Sequence, residues 1–181
     1  MTSMDSNTIR KALDTLNALL KRNSQTLEML VVGGTHMCLV QGSRDATFDI
    51  DVFCPTPAKL QDYCKLVRQI YPELPYDWIN TDSAAYVTPQ IKEDALVMEQ
   101  YTNLTVYTPT DHAMLALKVT SGRMAKDKPD LQDAAFLIRK LGITTPQEIK
   151  HWVQTYTPLM MYKYDRNGDF IKHALHLAST L

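Results

Sequence analysis

Leu30-Val-Val-Gly-Gly-Thr-His-Met-Cys-Leu-Val-Gln-Gly-Ser-Arg-Asp-Ala-Thr-Phe-Asp-Ile-Asp-Val-Phe53 is the stretch whose reading decides the fold. It follows directly on Leu27, Glu28 and Met29, and residues 27–32 read as a buried strand. Gly33 and Gly34 come at once after it. A glycine pair at a strand end lets the backbone turn sharply and lets a ligand approach bare N–H groups, or it is simply a tight turn. Residues 35–40 can form about one and a half turns of helix, with amides facing whatever sits beside the glycines. A polar turn with Arg44 leads to a second strand over residues 47–53, which carries Asp49 and Asp51. Residues i and i+2 of a strand share a face, so these two acids lie together opposite Phe48, Ile50 and Val52. Paired like charges cost stability unless they are solvated at an exposed edge or neutralised, and a divalent cation neutralises them most simply.

The rest of the chain bounds that reading. There are 181 residues, 45% of them hydrophobic and 22% charged, with a formal net charge of −1. This is enough chain for one good core, or one domain with a helical extension. The near-zero charge removes any bulk pull toward nucleic acid or membrane while leaving room for a local basic groove. Cys38, Cys54 and Cys64 lack Cys-x-x-Cys spacing and read as reduced thiols. No apolar run approaches ~18 residues, so no membrane span is expected. The first residues lack the apolar segment of a secretory signal, and a cytoplasmic location is expected.

In order, residues 8–21 put Ile9, Leu13, Leu16, Leu19 and Leu20 on one helical stripe, with Ser6 or Asn7 as cap. Pro55 and Pro57 stop the second strand. Residues 58–70 repeat the helical spacing. Residues 76–79 fit a short strand with Asp77 on one face, residues 80–90 a loop, and residues 93–100 either element. Residues 104–107 form a short strand without an acid. Thr108-Pro-Thr-Asp111 reads as a helix start capped by Thr108. Residues 122–129 are a basic break. Helices follow from Asp130 to Gly142, from the Thr145-Pro-Gln-Glu148 capping box, and from Asp169 onward. The order is helix, then mixed strands and helices, then almost pure helix. The expected architecture is a small mixed β-sheet flanked by helices, an α/β (α+β) core over residues 1–108, with a helical region over residues 109–181 packed on it as one unit.

Taken together, Gly33-Gly34, fourteen residues, and Asp49-x-Asp51 resemble the defining pattern of the polymerase-beta-type nucleotidyltransferase superfamily. Arg44-x-x-Thr47-x-Asp49 is similar to its small bacterial branch, which includes uncharacterised proteins and abortive-infection or toxin–antitoxin components. Asp77-Trp-Ile-Asn80 looks like a Trp-apolar-Asn segment of that branch. Leu115-Ala-Leu-Lys118, Arg123 and Asp130-Leu-Gln-Asp133 look like its helical motif. The resemblance covers residues 25–143 and implies a nucleotidyltransferase fold.

It also implies roles. Gly33 and Gly34 would cradle a nucleoside triphosphate, with Thr47 beside it and Arg44 either lining the groove there or serving as a surface turn residue. Asp49 and Asp51 would hold Mg²⁺ or Mn²⁺. A third carboxylate, for which Asp77 is the candidate, would act as base or complete a second metal site. Lys118 and Arg123 would face phosphates, or belong to an ion-paired helix face. Asp130 and Asp133 would cap their helix or pair with Lys118, Arg123 or Lys126. The implied reaction moves a nucleotidyl group from an NTP to a hydroxyl acceptor: RNA, protein or small molecule. The alternatives are an inactive nucleotide- or partner-binding member, and a toxin held by an antitoxin partner. His173 and His176 lack a third ligand, and His36 suits a buried helix start better than a ligand.

Overall fold

The computed structural model describes residues 3–123 and 129–181; Lys126 lies outside the described residues. The chain divides into two compact units, Met1–Val87 with Ala95–Thr108, and Thr88–Asp94 with Pro109–Leu181.

The first unit is a mixed α/β layer. Helix α1 (Ser6–Arg22) buries Ile9, Ala12, Leu13, Leu16 and Leu20 on one stripe. Its cap is Asp5, which accepts from the Thr8 N–H at 2.7 Å, one residue before the expected Ser6 or Asn7. Asp5 belongs to a short strand β1 (Met4–Asp5), so the chain is already ordered before the stripe begins. Strand β2 (Leu27–Val31) and helix α2 (Gly33–Leu39) follow. The helix takes in both glycines, starting two residues earlier than the sequence suggested.

The second strand is split. Strand β3 (Ala46–Thr47) pairs antiparallel with β1, whereas β4 (Ile50–Phe53) enters the main sheet beside β2. Because the two pieces have different partners, the chain bends at Phe48, which is 54% exposed and not part of the apolar face. Ile50 and Val52 keep that role and are fully buried.

Helix α3 (Pro57–Ile70), strand β5 (Ile79–Asn80), a 3₁₀ turn over Asp82–Tyr86, helix α4 (Pro89–Glu93), and strands β6 (Leu96–Gln100) and β7 (Leu104–Thr108) come next. The expected loop over residues 80–90 therefore contains a 3₁₀ turn and the start of α4, and within residues 93–100 only Leu96–Gln100 form a strand. The sheet order is β5-β4-β2-β7-β6. β2–β7 and β4–β5 are parallel, while β2–β4 and β6–β7 are antiparallel. One sheet face carries Met29, Val31, Ile50, Val52, Leu104 and Val106 into a core shared with α1, with Leu60 and Val67 of α3, and with Trp78. Alternation then puts Asp51 on the other face.

The second unit is helical. It holds α4, α5 (Asp111–Ser121), α6 (Asp130–Lys140), α7 (Pro146–Tyr156), α8 (Met161–Arg166) and α9 (Gly168–Thr180). Thr110, not Thr108, caps α5 by accepting from the Ala113 N–H at 3.2 Å. Thr108 is instead the last residue of β7, and α5 begins only at Asp111, so the residue next to the helix start is Thr110. The α7 capping box is present, with Thr145 and Glu148 bonding reciprocally. No helix of the described residues is long and apolar enough to cross a membrane.

Candidate nucleotide site

The site is built where β2 turns into α2. Backbone pairing brings the two strands together, and the Val32 N–H donates to the Asp51 carbonyl at 2.9 Å. Gly33 then turns with φ +67°, the left-handed region that side chains resist. A Cβ at Gly33 would sit 2.6 Å from Asp51 Oδ2, and one at Gly34 would sit 2.6 Å from Thr47 Oγ1 and 2.9 Å from Arg44 Nη1. Glycine is therefore required twice over. The bare backbone lies directly against a carboxylate, a hydroxyl and a guanidinium.

Asp49 sits in the bend just ahead of β4. Its carbonyl accepts from Thr35 Oγ1 at 3.0 Å and from Thr47 Oγ1 at 3.2 Å. These two buried threonines tie the bend to the start of α2. Asp49 Oδ2 accepts from Asn80 Nδ2 at 2.9 Å, and Asp51 Oδ1 accepts from Ser83 Oγ at 2.9 Å. Both carboxyl-bearing residues are half-buried. Partial burial weakens solvent screening, which sharpens their demand for a cation.

Gly33, Gly34, Arg44, Thr47, Asp49 and Asp51 are thus brought together. Asp77 is placed differently: it is exposed in the turn before β5, and the side chain of this segment that reaches Asp49 is Asn80. Among the described residues, no three His, Cys, Asp or Glu side chains converge on a common point. Sequence reasoning gave no role to Ser83 or Thr35. Asn80 appeared only as the end of a motif, although the parallel register puts it beside Asp51.

His36 is fully buried. Its Nδ1 lies 2.6 Å from Thr108 Oγ1 and its Nε2 lies 2.9 Å from Gln41 Nε2, so the ring braces α2.

Lys118 and Arg123 belong to the helical unit. The Lys118 ammonium is 2.8 Å from Asp130 Oδ1 and 2.7 Å from Asp133 Oδ2, and all three side chains are at most 5% exposed. Asp130 Oδ2 also accepts from Arg123 Nε at 2.5 Å and from Ser121 Oγ at 2.9 Å. Burial raises the Asp130 pKa, but the Lys118 charge and the bonds from Arg123, Lys118 and Ser121 outweigh it and hold the carboxyl at about 2. This is the geometry of a structural ion-pair network.

Comparison with known proteins returns no match among curated proteins and none among solved structures. Residues 8–157 match a family model described as a nucleotidyltransferase of unknown function (DUF6036). That span runs from α1 to the end of α7 and includes every residue of the glycine–aspartate site, and the chain belongs to this nucleotidyltransferase family.

Proposed function

We propose that the chain binds a nucleoside triphosphate with Mg²⁺ or Mn²⁺ and transfers its nucleotidyl group to a hydroxyl acceptor. The observation that carries this reading is the side-chain-free backbone of Gly33 packed against the Asp51 carboxylate, with Arg44 beside Gly34. It sets a carboxylate and a guanidinium beside bare backbone, which suits a phosphate and its cation.

The donor set fits the ion. Mg²⁺ is commonly held by one or two carboxylates, with substrate phosphates completing its shell, and Asp49 and Asp51 supply two. When bound, the cation neutralises phosphate charge during transfer. The remaining work falls to the chain. Gly33 and Gly34 admit the phosphates, Arg44 adds positive charge, and Thr35 and Thr47 fix the bend that carries Asp49. The acceptor oxygen bonds to the α-phosphorus, the bond from that phosphorus to the bridging oxygen breaks, pyrophosphate leaves, and the hydroxyl proton passes to solvent.

A second reading, nucleotide binding without turnover, is favoured by Asn80. An amide turned toward Asp49 cannot take the acceptor's proton.

The test offers α-labelled NTPs to RNA ends, proteins and small alcohols, and measures Mg²⁺-nucleotide binding in parallel. Transfer that disappears in Asp49→Ala/Asp51→Ala supports the transferase. Binding without transfer supports the second reading. Transfer that survives the double substitution refutes the site.

A further inference from the structure

Two neutral donors touch the carboxylate pair from one short segment. Asn80 Nδ2 donates to Asp49 Oδ2 and Ser83 Oγ donates to Asp51 Oδ1, each at 2.9 Å. The sheet ladder alone does not dictate this. In the parallel register Asn80 lies beside Asp51, yet its amide crosses to Asp49. The orientation of that amide is fixed from behind, because the Asp82 N–H donates to Asn80 Oδ1 at 3.2 Å and leaves the NH₂ end facing the carboxylate. Ser83 follows in the 3₁₀ turn of Asp82–Tyr86, so the end of β5 and the turn after it deliver one donor each.

Each donor binds one oxygen of one acid. A carboxylate held at one oxygen loses rotational freedom and keeps its charge, so its other oxygen is aimed while its attraction for a cation is retained. N–H and O–H groups turned toward an acid cannot serve as ligands through those hydrogens, so the pair orients without adding negative charge. Two carboxylates favour a cation that arrives with phosphates over one that arrives alone.

We infer that Asn80 and Ser83 are positioning residues, which hold Asp49 and Asp51 in the geometry for one divalent cation. This rests on the cation-and-nucleotide reading above.

The probe is Mn²⁺, followed by loss of the free-ion electron paramagnetic resonance signal, alone and with ATP, with circular dichroism and thermal melting as fold controls. Substituting a group that orients a metal ligand weakens binding about 10-fold or more, which is the expectation for Asn80→Ala and Ser83→Ala. Ser83→Thr keeps a hydroxyl donor for Asp51 and binds Mn²⁺ as wild type does. Loss in Ser83→Ala with rescue in Ser83→Thr is a pattern that general loosening of the fold does not produce. If Asn80→Ala fails to fold, the two Ser83 variants still decide. Wild-type affinity in Ser83→Ala, or binding in Ser83→Thr as weak as in Ser83→Ala, overturns the inference. Should wild-type binding depend on Asp49 and Asp51 but ignore Asn80 and Ser83, this inference alone falls. Should wild type bind neither Mn²⁺ nor Mn²⁺-ATP, the proposed function falls with it.

Discussion

Lys118→Met is the most demanding test of the helical unit. Methionine matches the length of the lysine stem and removes the ammonium, leaving Asp130 and Asp133 in a site where both are at most 3% exposed. Breaking a buried ion pair by deleting one partner costs about 3–5 kcal/mol, because the surviving charge keeps its desolvation penalty without its compensation. Asp130 retains Arg123 and Ser121, which places the expected loss near the lower end, about 3 kcal/mol. That is a large share of the roughly 5–15 kcal/mol that holds an ordinary domain together.

The pH dependence supplies an independent check. The Asp130 pKa is depressed from 3.8 in the unfolded chain to about 2 in the fold, so it adds stability above about pH 4 that is lost as pH falls through about 2. That shift corresponds to about 2 kcal/mol at neutral pH. Without Lys118, burial is opposed by less positive charge and the carboxyl takes up its proton at higher pH. The gap between wild type and Lys118→Met therefore narrows between pH 7 and pH 3. Urea unfolding followed by far-ultraviolet circular dichroism at several pH values measures both effects. A midpoint at neutral pH that moves by the equivalent of under ~1 kcal/mol, with loss of nucleotide affinity in the folded protein, would refute the structural role and return Lys118 to phosphate binding.

Three further outcomes follow from the geometry. Gly33→Ala places a Cβ 2.6 Å from Asp51 Oδ2 at φ +67°, and it should abolish Mg²⁺-nucleotide binding in calorimetry while costing at least ~1–2 kcal/mol of stability from the backbone alone. Gly122→Ala builds a Cβ 2.0 Å from Asn167 Nδ2, displacing the side chain that donates to the Val119 carbonyl at 2.8 Å. It should lower the melting temperature more than Gly142→Ala, where a Cβ meets nothing within 4 Å. Trp78→Ala removes a fully buried ring whose Nε1–H donates to the Cys64 carbonyl at 3.4 Å, and it should cost about 3–5 kcal/mol by urea unfolding.

Local periodicity was enough to find α1, α3, β2, β7 and the capping box of α7, because each is set by residues within one or two turns of each other. Two kinds of feature escaped it. Short elements such as β1, β3, α4 and α8 carry too few residues to show a period. They are stabilised by partners far along the chain, as β1 is by β3. The split of the second strand escaped for the same reason. Thr47 and Ile50 read as one alternating run, and only the different pairing of the two pieces reveals the bend at Phe48.

The same physics explains which half of the candidate site could be read from sequence. Gly33, Gly34, Asp49 and Asp51 were legible because each is constrained by its own strand: the glycines by the turn out of β2, and the acids by alternation against Ile50 and Val52. What stands opposite the acids depends on the register of β5 against β4, which the sequence does not declare. Counting from an assumed strand over residues 76–79 puts Asp77 forward. The observed pairing of Ile50 with Ile79 and Asp51 with Asn80 starts the strand later and leaves Asp77 in the turn before it. A signal was present. Trp78 and Ile79 are adjacent and both buried, which a strand with one wet face does not allow, so the regular alternation could begin only after Trp78. From that point Asn80 is the first polar side chain on β5 and the one whose amide meets Asp49. A shift of a few residues thus replaces a carboxylate, which could accept a proton, by an amide, which can only orient its neighbour. On that replacement turns whether the proposed nucleotide site would move a nucleotidyl group or only hold one.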